Sequence, residues 1–81
     1  EVRVTVYTTP ACVQCQSTKR MMDKLGISYD VIDLSQHPDE LEAFREMGMA
    51  QAPIVVTDDS RWSGFRLDKI KSLANRIFHE N

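Results

Sequence analysis

Two cysteines three residues apart, Cys12 and Cys15, stand where a strand pattern gives way to a helix pattern. From Val2 to Thr8 most residues are β-branched or aromatic, which is typical of a pleated and partly buried strand. After a short break, good helix formers run from Val13 to Leu25 and end at Gly26, a residue suited to a left-handed C-cap. The sequence therefore predicts that Cys12 lies at or near the N-terminus of the first helix.

The remaining pattern predicts a single α/β domain over residues 1–81 with the element order βαβαββα, because a chain of this length supports one core. A second strand from Ser28 to Leu34 follows the first helix, so the handedness rule makes these two strands parallel. The other predicted elements are a helix that Pro38 opens and Gly48 ends, a strand from Ile54 to Thr57, a turn at Asp58-Asp59-Ser60, a strand from Arg61 to Ser63 and a helix from Asp68 to Phe78.

Helical spacing also predicts which side chains face the core. On the three helices these are Thr18, Met21, Met22 and Leu25; Leu41, Phe44 and Met47; and Ile70, Leu73, Ala74, Ile77 and Phe78.

Charge and hydropathy narrow the class of function. Ten basic and twelve acidic residues give a net charge of -2, which provides no strong positive field for a phosphate backbone, so nucleic-acid binding is not expected. Apolar runs such as Ile54 to Val56 are far shorter than the roughly 20 residues of a membrane span. Two cysteines and no secretory signal pattern favour a cytoplasmic protein over a small secreted one.

The position of the cysteine pair indicates redox chemistry. Unpaired amide groups and the dipole at a helix N-terminus favour a thiolate at Cys12, while Cys15 is expected one turn later and more deeply covered. A thiolate at Cys12 would attack a substrate disulfide, and Cys15 would then attack the resulting mixed disulfide and release the reduced substrate.

Other uses of the pair remain open. A structural disulfide would close too small a loop to stabilise the fold much. The only imidazoles, His37 and His79, do not form a recognisable ligand pair, yet two chains could share a metal ion or an iron-sulfur cluster. Pro53 precedes an apolar strand, which fits either a plain strand start or a cis bond beside the cysteines.

Four segments of the sequence are distinctive when taken together: Val4-Thr5-Val6-Tyr7-Thr8, Cys12-Val13-Gln14-Cys15, Gln51-Ala52-Pro53-Ile54-Val55-Val56 and Trp62-Ser63-Gly64-Phe65-Arg66. With them the chain resembles the NrdH-redoxins, small glutaredoxin-like members of the thioredoxin superfamily, over nearly its whole length.

The resemblance implies a thioredoxin fold, with a four-stranded mixed sheet flanked by three helices and a cis Pro53. It also implies an electron carrier without a bound cofactor, reduced by NADPH through thioredoxin reductase and reducing the large subunit of class Ib ribonucleotide reductase. The sequence leaves the oligomeric state open, and a monomer is the simplest expectation. The catalytic residues would be Cys12 and Cys15. A partner-binding groove would be formed by Val13, Gln14, Ala52, Pro53, Trp62, Ser63, Gly64, Phe65 and Arg66.

One difference from the glutathione-using glutaredoxins bears on the electron source. Where glutathione-using glutaredoxins carry G-G-x-D-D, this chain has Ser63-Gly64-Phe65-Arg66-Leu67, so the acidic pair that would hold the glutathione amino group is absent. Asp58-Asp59 lies earlier, in the predicted turn. A glutathione-dependent glutaredoxin and a general protein-disulfide reductase remain the alternatives within redox chemistry.

Single positions leave further questions. Leu67 replaces the proline that usually opens the last helix of the family, which should leave the fold intact. Val6 stands where thioredoxins carry a buried acid, so proton transfer between the thiols needs another group or a water molecule. We expect Trp62 to be either an exposed docking aromatic or a core residue, and Arg66 to contact an acidic partner or to pair with Asp68.

Overall fold

A computed structural model describes residues 2–79, and its elements confirm the predicted order βαβαββα. Residues 1, 80 and 81 of the predicted domain lie outside the described residues. A 3-10 turn, Leu34–Gln36, connects the second strand to the second helix. The strands are β1 (Thr5–Thr8), β2 (Asp30–Asp33), β3 (Ile54–Val56) and β4 (Arg61–Ser63), and the helices are α1 (Val13–Lys24), α2 (Pro38–Glu46) and α3 (Leu67–His79).

The four strands form one mixed sheet in the order β2-β1-β3-β4. β1 runs parallel to β2 and antiparallel to β3, and β3 pairs antiparallel with β4. In this register Val6 lies opposite Val55, which in turn lies opposite Trp62. β1 is thus an inner strand of the sheet, and the cysteine motif begins just beyond its carboxyl end.

Each face of the sheet carries its own apolar cluster. One cluster joins the strands to α1 and α3, and it contains Val4, Val6, Met22, Ile27, Val55, Trp62, Ile70 and Leu73. The other lies under α2 and is built from Leu34, Phe44 and Ile54. There the rings of Tyr7 and Phe44 meet edge to face with their centroids 4.9 Å apart. The helices therefore cover both faces, as a sheet with parallel strands requires.

The predicted end of α1 at a left-handed glycine is confirmed. Gly26 has φ +76°, its amide donates to the Asp23 carbonyl, and the Ile27 amide donates to the Met22 carbonyl at 2.9 Å. These two bonds form a Schellman motif, which satisfies carbonyls that the end of the helix would leave unpaired.

Some predicted boundaries and core positions are wrong. The first two strands begin at Thr5 and Asp30, later than predicted, because the pairing between β1 and β2 starts with these two residues. Met47 is 44% exposed because α2 has already ended before it, so it no longer continues the inward-facing stripe of that helix. Phe78 is 53% exposed in the last turn of α3, where it lies over Gly26 at the end of α1.

The last helix begins without the proline of its family. The Arg66 carbonyl accepts the Ile70 amide at 3.0 Å, so Leu67 occupies the first helical position. The first helical position requires a helical φ, and its amide has no acceptor within the helix, so leucine can replace proline there. No helix among residues 2–79 is long and apolar enough to cross a membrane.

Candidate active site

The cysteine pair forms the start of α1. Cys12 is the N-cap, with extended backbone angles of φ -105° and ψ 105°, and its Sγ accepts the Cys15 amide at 3.1 Å. A disulfide joins the two residues, whose Cα atoms lie 5.2 Å apart. The sulfur of Cys12 therefore replaces the side-chain oxygen of an ordinary N-cap and sits where amide groups and the helix dipole stabilise negative charge.

The two cysteines differ in their access to solvent. Cys12 is partly exposed, whereas Cys15 is only 2% exposed. Val13, between them in sequence, is 76% exposed and extends the outer surface beside Cys12. A protein disulfide can thus approach Cys12 directly, while Cys15 is reached only through Cys12.

A strained residue precedes the pair. Ala11 has φ +56°, a left-handed conformation that costs a residue with a Cβ about 1–2 kcal/mol. It reverses the chain between β1 and α1 and sets the N-cap at Cys12. Sequence reasoning missed this feature because alanine carries no signal for the left-handed region, unlike glycine or asparagine.

A second segment, residues 51–53, lies against the loop that follows β4. The Ala52–Pro53 bond is cis, as the resemblance implied. The Pro53 carbonyl accepts the Gly64 amide at 2.7 Å, and the Ser63 hydroxyl donates to the Gln51 carbonyl. These bonds hold the backbones of the two segments in a fixed relation, with Pro53 buried and Ala52 half-buried at the edge.

Gln14 connects the cysteine motif to the same loop. Its side-chain Oε1 accepts the Phe65 amide at 3.1 Å, across 51 residues of sequence. Gly64 has φ +84°, and a Cβ placed on it would lie 3.6 Å from Gln14 Oε1 and 3.9 Å from Gln51 Oε1. The cysteine motif, the proline segment and the 63–66 loop therefore converge at Gly64. Gln51 lies in one of the four segments that carry the resemblance, but it was not predicted as a binding residue, and its side chain also approaches Gly64.

Trp62 does not belong to the exposed surface. It is 5% exposed and packs in the cluster under α1 and α3, so the expectation of an exposed docking aromatic is wrong and the core alternative holds. The cause is register, because Trp62 lies opposite the fully buried Val55 and shares its face of the sheet. The aromatic that does reach the surface of this loop is Phe65, at 37% exposure.

Charged groups near the loop are paired locally. Arg66 Nε and Nη2 bind the two carboxylate oxygens of Asp68 at 3.2 and 3.1 Å, and these bonds lower the pKa of Asp68. Asp58 and Asp59 are held in the β3–β4 turn by Arg76, at 3.1 and 2.7 Å. The turn carboxylates are thus engaged with α3, and the cation of the 63–66 loop, Arg66, is paired with Asp68.

Within residues 2–79, no three histidine, cysteine or acidic side chains lie close enough together to hold a metal ion.

Comparison with known proteins agrees with the geometry. The Glutaredoxin family model matches residues 4–62. The glutaredoxin-like protein NrdH of Escherichia coli K12 is 43% identical over 72 residues, which cover 89% of each chain. NrdH of Lactococcus lactis IL1403 is 37% identical over 88% of this chain and 99% of its own.

A solved structure shows the same architecture. The NrdH-redoxin of E. coli, described as glutaredoxin-like with a thioredoxin-like activity profile, aligns with a TM-score of 0.83 and 44% identity, covering 88% of this chain and 93% of that one. A thioredoxin fold that carries a cysteine pair at disulfide distance defines a thiol–disulfide oxidoreductase. Within that class, the chain belongs to the NrdH group of the glutaredoxin family.

Proposed function

We propose that this chain is an electron carrier that thioredoxin reductase reduces with NADPH, and that in turn reduces the large subunit of class Ib ribonucleotide reductase. The observation that carries the choice of reductant is the 63–67 loop. Arg66 there is bound to Asp68, and Leu67 opens α3, so the loop offers no carboxylate pair to a glutathione amino group. The thioredoxin-like activity profile described for the E. coli relative supports the same reductant.

The reaction follows from the exposure of the two sulfurs. The Cys12 thiolate attacks one sulfur of the client disulfide, that S–S bond breaks, and the displaced client sulfur takes a proton. The Cys15 thiolate then attacks Cys12 Sγ and displaces the second client sulfur, which also takes a proton. The client gains two electrons, and the carrier is left with the Cys12–Cys15 disulfide that thioredoxin reductase reopens.

The client segment would bind beside Pro53 as an added antiparallel strand. Among the described hydrogen bonds, the carbonyls of Gln51 and Pro53 are used, whereas the amide and carbonyl of Ala52 are not. Strand addition at Ala52 would give affinity through the backbone, and neighbouring side chains would select the client. We propose Val13, Gln14, Ser63, Gly64, Phe65 and Arg66 as the other contacts, with buried Trp62 supporting the loop from below.

The proposal places this carrier in the cytoplasm as a monomer. A reducing compartment keeps the reduced form of the pair available for exchange. One carrier molecule contributes both cysteines, so a single chain completes the cycle.

The deciding experiment measures NADPH oxidation by the disulfide form, once with thioredoxin reductase and once with glutathione plus glutathione reductase. We expect rapid turnover only with thioredoxin reductase. Turnover only with glutathione would make the chain a glutathione-dependent glutaredoxin. The client is tested by adding the oxidised large subunit, with an unrelated protein disulfide at equal concentration as the matched control; equal rates would identify a general disulfide reductase.

Inactivity in both assays would favour the metal-binding alternative. Metal analysis and an absorption spectrum of protein purified under reducing conditions test it directly. Stoichiometric metal or the colour of an iron-sulfur cluster would overturn the carrier proposal.

A further inference from the structure

The hydroxyl of Thr18 lies inside the protein without a hydrogen-bond partner. Thr18 is fully buried on α1, and its Oγ1 is one of two buried side-chain polar atoms that lack a partner among the described residues. Buried hydroxyl groups are bonded in the large majority of structures, and a threonine within a helix commonly donates to a carbonyl one turn earlier. The unpaired hydroxyl therefore raises the free energy of the disulfide form. A hydrogen-bond partner that becomes accessible in the dithiol form would remove this cost.

Cys15 is the residue placed to provide that partner. Cys15, Thr18 and Met22 are the buried residues of α1, so they form one inward stripe. Residues three apart in a helix lie on the same face, and helical side chains lean towards the N-terminus, which directs the Thr18 side chain over Cys15. Met22, one turn further on, belongs to the apolar cluster and offers no polar group.

The redox state of Cys15 decides whether it can accept this bond. In the disulfide form its Sγ is bonded to Cys12, and Thr18 Oγ1 makes no hydrogen bond to it. Reduction breaks the S–S bond, and two electrons and two protons convert the sulfurs to thiols. Cys15 Sγ is then able to turn about its own Cα–Cβ bond, and as a thiolate it is a strong acceptor in an otherwise apolar setting.

We propose that Thr18 is a positioning residue for the resolving thiol. Its hydroxyl bonds to Cys15 Sγ in the dithiol form and donates to the Cys15 thiolate during the attack on Cys12 Sγ. The bond exists only after the disulfide opens, so it stabilises the reduced form over the oxidised form. The reduction potential is therefore higher than it would be without the hydroxyl.

The test compares Thr18→Val, which keeps the shape and removes the hydroxyl, with Thr18→Ser, which keeps the hydroxyl. At a fixed ratio of reduced to oxidised dithiothreitol, we expect the dithiol-to-disulfide ratio of Thr18→Val to fall about tenfold, equivalent to about 30 mV in potential. We expect Thr18→Ser to stay within about twofold of the unchanged protein, on the same scale. A potential of Thr18→Val equal to that of Thr18→Ser overturns the proposal.

Thr57→Val is the matched control. Thr57 is also buried, but its hydroxyl already bonds to the Ser60 carbonyl and Asp59 in the β3–β4 turn. Its replacement should lower the stability of both redox forms and leave their ratio unchanged. A shift in the ratio as large as that of Thr18→Val would show that any buried hydroxyl has this effect, and would overturn the proposal.

Two further measurements keep the test decisive if the valine variant folds poorly. Urea unfolding of each redox form should show that Thr18→Val destabilises the reduced form relative to the oxidised form; equal changes in both forms contradict the proposal. In the unchanged protein, NMR should detect a slowly exchanging Thr18 hydroxyl proton only after reduction. An equal exchange rate of this proton in both redox forms would contradict the proposal.

Discussion

Replacement of Gly64 by alanine tests whether the 63–66 loop aligns the redox site. Gly64 has φ +84°, its amide donates to the Pro53 carbonyl, and the next amide, of Phe65, donates to Gln14 Oε1. A Cβ at this position would meet Gln14 Oε1 at 3.6 Å, which is ordinary contact. The cost of Gly64→Ala therefore comes from the backbone and not from a steric clash.

The expected loss of stability follows from that conformation. A Cβ in the left-handed region costs about 1–2 kcal/mol, and alanine recovers about 0.4–1 kcal/mol by restricting the unfolded chain. The net loss of about 1 kcal/mol should lower the melting temperature by roughly 4–8 °C for a domain of this size. Gly48→Ala is the matched control, because Gly48 has φ +81° and nothing within 4 Å of an added Cβ.

Urea unfolding and turnover together separate the two effects. Both variants should lose similar stability, since both carry the same backbone penalty. Only Gly64→Ala should also lose activity, by roughly tenfold in kcat/KM towards a protein disulfide, because its relaxation moves the Phe65 amide away from Gln14. Full activity in Gly64→Ala, or an equal loss in Gly48→Ala, would refute the argument that this loop positions the site.

Three other outcomes are expected. Cys12→Ser should abolish turnover, whereas Cys15→Ser should accumulate a mixed disulfide with the client that mass spectrometry detects; full activity in Cys12→Ser would reverse the assigned roles. Trp62→Ala should cost about 3–5 kcal/mol of unfolding free energy, as large core truncations do, when followed by circular dichroism; a loss below about 1 kcal/mol is inconsistent with a core role. Burial and a hydrogen bond to Asp23 raise the pKa of Tyr29 to about 12, so its contribution to stability is present below pH 10 and is lost between about pH 10 and 12. Absorbance titration near 295 nm should lose the transition near pH 12 in Tyr29→Phe, and an unchanged titration would contradict this origin.

Local signals predicted the framework of the fold well. Gly26 and Pro38 mark helix ends through backbone requirements that belong to the residues themselves, and both are found where expected. Strand ends were less accurate because pairing with a neighbour, and not the residue type, decides where a ladder stops. Met47 shows the same limit on a helix. Its spacing from Leu41 and Phe44 is that of an inward-facing apolar position, but the helix ends one residue before it.

The candidate site likewise combines features that local sequence predicts with features that it does not. The position of the cysteines at the start of α1 follows from sequence order alone. The left-handed Ala11, the burial of Trp62 and the bond from Phe65 to Gln14 depend on how distant segments pack. The Arg66–Asp68 pair is one of the two alternatives that the sequence left open for Arg66.

The sheet order also determines when in its synthesis the chain can acquire its chemistry. β1 leaves the ribosome before β3, with which it pairs, and Gln14 accepts its hydrogen bond from the Phe65 amide, 51 residues later. A nascent chain that ends before residue 65 therefore contains both cysteines but lacks the loop that orients them. The hydrogen bond that ties the cysteine motif to the 63–66 loop can form only after residue 65 has emerged, so the site assembles late in synthesis.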